Sequence, residues 1–115
     1  MILRHAAVML LWWAGAAAAL AQATDWPARP VTLVVPSSPG GGTDVYGRIL
    51  AQALTEALKQ SFVVDNKPGA TQMIGARLAA NAKPDGATIF FGSVTSLAIN
   101  PSVKKELPYD PVRDF

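Results

Sequence analysis

An open parallel α/β sheet with covering helices, strand order second-first-third, is the fold class this 115-residue sequence predicts. Three observations point to it. The first is "VTLVV", Val31 to Val35, a β-branched run bounded by proline at both ends and apolar at nearly every position. The second is the Gly/Pro-rich stretch "PSSPGGGTD" that leaves this run and passes straight into an amphipathic pattern. The third is the alternation of strand and helix signals that follows, ordered strand, helix, strand, helix, strand.

Each element has its own local reason. "TDWPARP" enters in extended form, because Pro27 and Pro30 forbid a helix there. Val31 to Val35 reads as a strand buried on both faces. A helix is predicted over 43–59: Val45, Ile49, Ala53 and Ala57 recur four apart, beside a stripe of Leu50, Leu54 and Leu58. Thr43 or Asp44 is the natural N-cap, since a side-chain oxygen there can accept an orphan N–H. "FVV", Phe62 to Val64, is a second strand, and "DNKPGATQ" a turn-rich loop. "MIGARLAANA" is a second helix with Ile74 and Leu78 four apart. "KPDG" turns the chain into a third strand, Ala87 to Gly92. A further helix begins around Leu97 to Ile99, and Asn100-Pro101 is expected to stop it.

Residues 1–23 have the layout of a secretory signal: Arg4 near the start, no charge from Ala6 to Leu20, then "AQA" with small residues two apart. The apolar core is short for a spanning helix, which favours cleavage over an uncleaved anchor. Cleavage after Ala23 leaves 92 residues, Thr24 to Phe115, with nine basic residues against eight acidic ones. That near-neutral balance implies no nucleic-acid partner. The single histidine, His5, leaves with the signal, and there is no cysteine, so an exported chain must be held by its core rather than by disulfides.

The order second-first-third puts strands one and three side by side, with a crevice between their carboxyl ends. The loops "PSSPGGGTD" and "GSVTS" meet there. A Rossmann fingerprint fails, because the sixth position from Gly40 is Val45. A Walker A loop fails as well: Arg48 and Ile49 stand where Lys and Ser or Thr are needed. A small-anion site fits better. Gly40, Gly41 and Gly42 leave backbone N–H groups approachable, and the helix that follows adds the positive end of its dipole. Ser37, Ser38 and Thr43 supply hydroxyls on one side, and Ser93, Thr95 and Ser96 on the other. Spacing alone does not separate this from a plain glycine-rich turn with its serines facing water. Asp44 reads first as a cap, although it could accept an N–H from an amino-acid ligand. Asn66, Ala70 and Thr71 either touch the ligand or close the turn after strand two. Trp26 and Tyr46 read as packing residues, and Lys104 and Lys105 as a solvated pair. Without His or Cys after the signal there is no nucleophile–base pair and no metal cluster of the usual ligands, so no catalytic residue, cofactor or metal is assigned.

Four motifs in order resemble one family. "WPARPVTLVVPSSPGGGTDVYGRILAQAL", "VVDNKPGATQMIGA", "KPDGATIFFGS" and "INPSVKKELPYDPVRDF" are similar to the N-terminal part of the Bug-type, or TctC-type, receptors of tripartite tricarboxylate transporters. The resemblance implies a periplasmic-binding-protein-like lobe, the first of two α/β lobes that close on a small solute. It also implies a periplasmic location and membrane partners in such a transporter. Ligands of the family include tricarboxylates, dicarboxylates, amino acids and aromatic acids. The implied carboxylate site maps to Ser37, Ser38, Pro39, Gly40, Gly41, Gly42, Thr43 and Asp44, to Ala70 and Thr71, and to Ser93, Thr95 and Ser96. The family loop "GGNIG" reads "TQMIG" here, so Thr71, Gln72 and Met73 replace smaller residues beside the ligand. On this likeness residues 24–115 are the first part of lobe one, a truncated form lacking the return strands. A non-functional remnant and an exported serine hydrolase fragment using a serine of "PSSPG" are the two alternatives to a binding module.

Overall fold

The computed structural model describes residues 26–115; the signal sequence assigned to residues 1–23 lies outside them. The elements are β1 (Val31–Val35), α1 (Gly42–Leu58), β2 (Phe62–Asn66), α2 (Met73–Ala80), β3 (Thr88–Phe90), a π-helical turn (Thr95–Ile99) and α3 (Asn100–Val103). The three strands are all parallel and lie in the order β2-β1-β3, as predicted. Val31 to Val35 pair residue for residue with Phe62 to Asn66, and Thr32 to Val34 pair with Thr88 to Phe90.

β1 is central and buried on both faces, which is why nearly every position is apolar. Val31, Leu33 and Val35 face one side and pack with Ala51, Leu54, Phe62, Val64, Ile89 and Phe91. Pro36, one residue past the strand, faces the other side and meets Gly75 of α2. Successive residues of an extended chain point to opposite faces, so α1 and α2 cover the sheet from opposite sides. Both helices come close through a glycine. A Cβ on Gly47 would lie 2.9 Å from Val35 Cγ2, and one on Gly75 would lie 2.9 Å from both Pro36 Cβ and the Lys67 carbonyl oxygen.

This close approach corrects the predicted packing face of α1. The residues turned to the sheet are Asp44, Gly47 and Ala51, with Leu54 and Thr55 half-buried behind them. Val45, Ile49 and Leu50 stand outward, Ile49 at 59% exposure. Small residues win the inner face because only they let the helix axis approach Val35.

Other boundaries shift. β2 runs two residues past Val64, to Asn66, whereas β3 is shorter than its apolar run. The last helical segment starts earlier, at Thr95, and Asn100-Pro101 does not stop it. The π-helical turn hands over to α3 at Asn100, so Pro101 occupies a first-turn position where a missing N–H goes unused.

Both ends of the described chain are tied down. Trp26 packs edge-on against Phe62, at 6.2 Å between ring centroids, and its Nε1 donates to the Gly86 carbonyl oxygen at 3.2 Å. Phe115 stacks on Phe90 at 4.8 Å and meets the buried Tyr109 edge-on at 5.9 Å. The segment "LPYDPVRDF" thereby covers the sheet face that carries Phe90.

Candidate functional site

The loop after β1 is organised by a carboxylate. α1 begins at Gly42 with Gly41 as its N-cap, and no side chain caps it, so the predicted cap at Thr43 or Asp44 is not formed. Asp44 sits one turn in and reaches back. Its Oδ2 accepts the Gly40 N–H at 2.8 Å and Arg48 Nε at 3.0 Å, while its Oδ1 accepts Asn66 Nδ2 at 2.9 Å. Asn66 Nδ2 also donates to the Ser37 carbonyl oxygen at 3.0 Å, and Asn66 Oδ1 accepts Arg48 Nη2 at 3.2 Å. The hydrogen bond from Arg48, then those from Gly40 and Asn66, hold the Asp44 carboxyl down at about 2. At 2% exposure and with both oxygens engaged, Asp44 shapes the loop and is not free to meet a ligand.

The same geometry sorts the loop amides. The Gly40 N–H goes to Asp44 and the Gly41 N–H to the Ser38 carbonyl oxygen at 3.2 Å. Gly42, Thr43 and Asp44, in the first turn of α1, have backbone N–H groups that donate to no acceptor among the described residues. The expectation that all three glycine amides are presented is therefore narrowed to Gly42, joined by the backbone N–H groups of Thr43 and Asp44. Space above this turn is clear: a Cβ on Gly40 or Gly42 would meet nothing within 4 Å. Gly40 has φ +82°, a left-handed conformation that glycine adopts without strain. Ser38 and Pro39 are exposed, Thr43 is half-buried, and Ser37 Oγ is buried without a partner.

The loop after β3 leaves from the same edge, because β1 and β3 are parallel neighbours and the Phe91 N–H donates to the Val34 carbonyl oxygen at 2.9 Å. Ser96 is fully buried; its Oγ accepts the Ser93 N–H at 3.0 Å and donates to the Ser93 carbonyl oxygen at 3.1 Å. Like Asp44, it holds its loop rather than lining the crevice. Ser93 and Thr95 are half-buried, and Ser93 Oγ accepts the Thr95 N–H at 3.2 Å.

The turn after β2 joins them. Ala70, Thr71 and Gln72 have φ of 47°, 54° and 70°, three consecutive left-handed residues, none of them glycine. Each costs about 1 kcal/mol or more. Two bonds fasten this turn to the β3 side: Ser93 Oγ donates to Gln72 Oε1 at 2.7 Å, and Asn100 Nδ2 donates to the Thr71 carbonyl oxygen at 2.8 Å. Asn100 is itself buried beside Tyr109, whose hydroxyl donates to the Ser96 carbonyl oxygen at 2.5 Å.

Arg48, Gln72, Asn100 and Tyr109 were not among the predicted site residues. Arg48 had a readable signal, a basic residue four positions after Asp44 on one helix face. Asn100 and Tyr109 had none, since their partners lie 29 and 13 residues away. A separate depression of about 540 Å³ runs along α2, lined by Met73, Ile74, Leu78 and Pro108 among others, and reaches the loops only at Ala70. Arg77 and Asn81 also line it.

Comparison with known proteins accords with this arrangement. Residues 46–115 match the profile of TctC, the tripartite tricarboxylate transporter family receptor. The protein BugT of Bordetella pertussis is 40% identical over 99 residues, covering 85% of this chain and 30% of BugT. Among solved structures, an R. palustris protein with adipate superposes with a TM-score of 0.72 at 42% identity, covering 76% of this chain and 29% of that one. MatC from Rhodopseudomonas palustris with bound malate superposes with a TM-score of 0.74 at 33% identity, covering 78% and 31%. The chain thus spans less than a third of the length of each of these relatives. The profile match over most of the chain, with the fold and the identities, establishes that this chain belongs to the TctC family of tripartite tricarboxylate transporter receptors, the Bug-type proteins.

Proposed function

We propose that this chain is part of a periplasmic receptor that binds a small carboxylated metabolite and delivers it to the membrane components of a tripartite tricarboxylate transporter. In this reading residues 1–23 are a cleaved signal, and residues 24–115 are the first part of lobe one. The solute is a tricarboxylate, dicarboxylate, amino acid or aromatic acid. One observation carries the reading: three unengaged first-turn amides of α1, at Gly42, Thr43 and Asp44, share an edge with the Ser93–Ser96 loop. Unpaired N–H groups at a helix N-terminus favour an anion, and open space over Gly42 lets a carboxylate reach them. Ser37, Ser38, Pro39, Gly40, Gly41, Gly42, Thr43, Ala70, Thr71, Ser93 and Thr95 line the site, with Asp44 and Ser96 holding the loops. The relatives solved with adipate and malate support an organic acid as ligand.

Gly42→Val tests it. A Cβ at residue 42 would meet nothing within 4 Å, so the variant should fold, which its melting temperature checks, while approach to the amides is blocked. Calorimetric titration of the whole receptor with citrate, malate, adipate, glutamate and benzoate should give saturable binding of at least one acid, weakened roughly tenfold or more in the variant. Undiminished affinity in Gly42→Val, or no binding of any of these acids by the parent receptor, overturns the reading.

A further inference from the structure

We infer that the Gln72 carboxamide is the specificity-determining donor of this carboxylate site, taking the place of the Ser93 hydroxyl. The inference rests on the receptor reading above. A serine hydroxyl has one proton. Ser93 Oγ accepts the Thr95 N–H at 3.2 Å, and its own proton is directed at Gln72 Oε1, only 2.7 Å away. Ser93 therefore has no proton left for a ligand oxygen. The same bond orients the carboxamide: Oε1 faces Ser93, so Nε2 faces away, and Nε2 has no partner among the described residues. Gln72 is only half-buried, so those two N–H donors remain reachable. The Ser93 loop that Gln72 meets leaves the same sheet edge as the β1 loop that leads into α1.

The backbone is consistent with a side chain held for a purpose. Gln72 sits at φ 70° at the end of three left-handed non-glycine residues, and Asn100, itself fully buried, grips the Thr71 carbonyl oxygen and fixes the turn. A turn of this shape is made most easily by glycine. Glycine, however, carries no donor. The site so formed offers neutral N–H donors to an ionised carboxylate. Arg48, which reaches the β1 loop through Asp44, is engaged with Asp44 and Asn66.

Two substitutions separate this role from a structural one. Gln72→Glu keeps an acceptor for the Ser93 hydroxyl and replaces the outward N–H donors with a negative oxygen. Gln72→Met keeps the length and loses both. Titration of the whole receptor with whichever of citrate, malate, adipate, glutamate and benzoate it binds should give affinities in the order Gln, then Met, then Glu, with Gln72→Glu weakened by a factor of about ten or more. A side chain that only fastened the turn would give a different order, Glu close to Gln and Met weakest, and that result overturns the inference. Thermal melting of each variant reports the fold separately: a rank order of affinity that merely follows melting temperature also overturns it. Failure of the unsubstituted receptor to bind any of citrate, malate, adipate, glutamate and benzoate sinks the receptor reading itself, whereas binding with the structural order sinks the Gln72 role alone.

Discussion

Asn66 Nδ2 lies 2.9 Å from Asp44 Oδ1 and 3.0 Å from the Ser37 carbonyl oxygen, so one carboxamide at the end of β2 locks both the first turn of α1 and the loop that precedes it. A carboxylate buried at the mouth of the proposed anion site looks out of place. Its hydrogen bonds resolve this. Both oxygens are turned to Gly40, Arg48 and Asn66, and Arg48 offsets the charge.

The first prediction follows from that depressed carboxyl. Asp44 is held at about 2, below its ordinary 3.8. A carboxylate with a lowered folded-state value stabilises the fold above its unfolded value, and that stability is lost as pH falls through the folded value. Asp85, Asp110 and Asp114 are also lowered, chiefly by backbone N–H bonds, so acid unfolding has several contributors. The Asp44 share is isolated by difference. Asp44→Asn should be less stable than the parent at neutral pH, and the gap should narrow between pH 3.8 and about 2. Melting temperature measured against pH for the two proteins checks this; a constant gap would show that the ion pair does not act in the fold.

Gly75→Ala should destabilise the protein although alanine is the better helix former. The added Cβ would lie 2.9 Å from the Lys67 carbonyl oxygen and 3.1 Å from Pro36 Cα, both backbone atoms that have little room to yield. Overpacking of this kind costs about 1–3 kcal/mol, against a helix-propensity gain of about 1 kcal/mol. Urea denaturation should show a lower midpoint with an unchanged slope. A rise in midpoint would mean that α2 can lift from β1 freely.

Thr71→Gly should act in the opposite sense. Thr71 is β-branched and held at φ 54°, and its link to Asn100 runs through the backbone carbonyl, which glycine retains. Relief of the strained conformation should stabilise the fold by about 1 kcal/mol, seen as a higher urea midpoint. Loss of stability would place the value of Thr71 in its side chain instead.

Much of this architecture was legible in the residue order. The β-branched run of β1, the turn chemistry of "KPDG" and the strand–helix alternation act over a few neighbours, and right-handed crossovers convert them into the order β2-β1-β3. That order brings the Ser37–Asp44 and Ser93–Ser96 loops to one edge, and the four motifs pointed to the family before any coordinate was known. Long-range partners were not legible. Nothing local says that α1 turns Gly47 rather than Ile49 to the sheet, because that follows from how closely Val35 can be approached. Nor does it say that Asp44 is consumed by Asn66, that the Ser93 proton goes to Gln72, or that Asn100 and Tyr109 clamp the turn from beneath. These partners lie 9 to 29 residues apart and become neighbours through strand register and helix approach, so hydrogen-bond geometry in the folded chain chooses among donors that the linear pattern leaves equivalent.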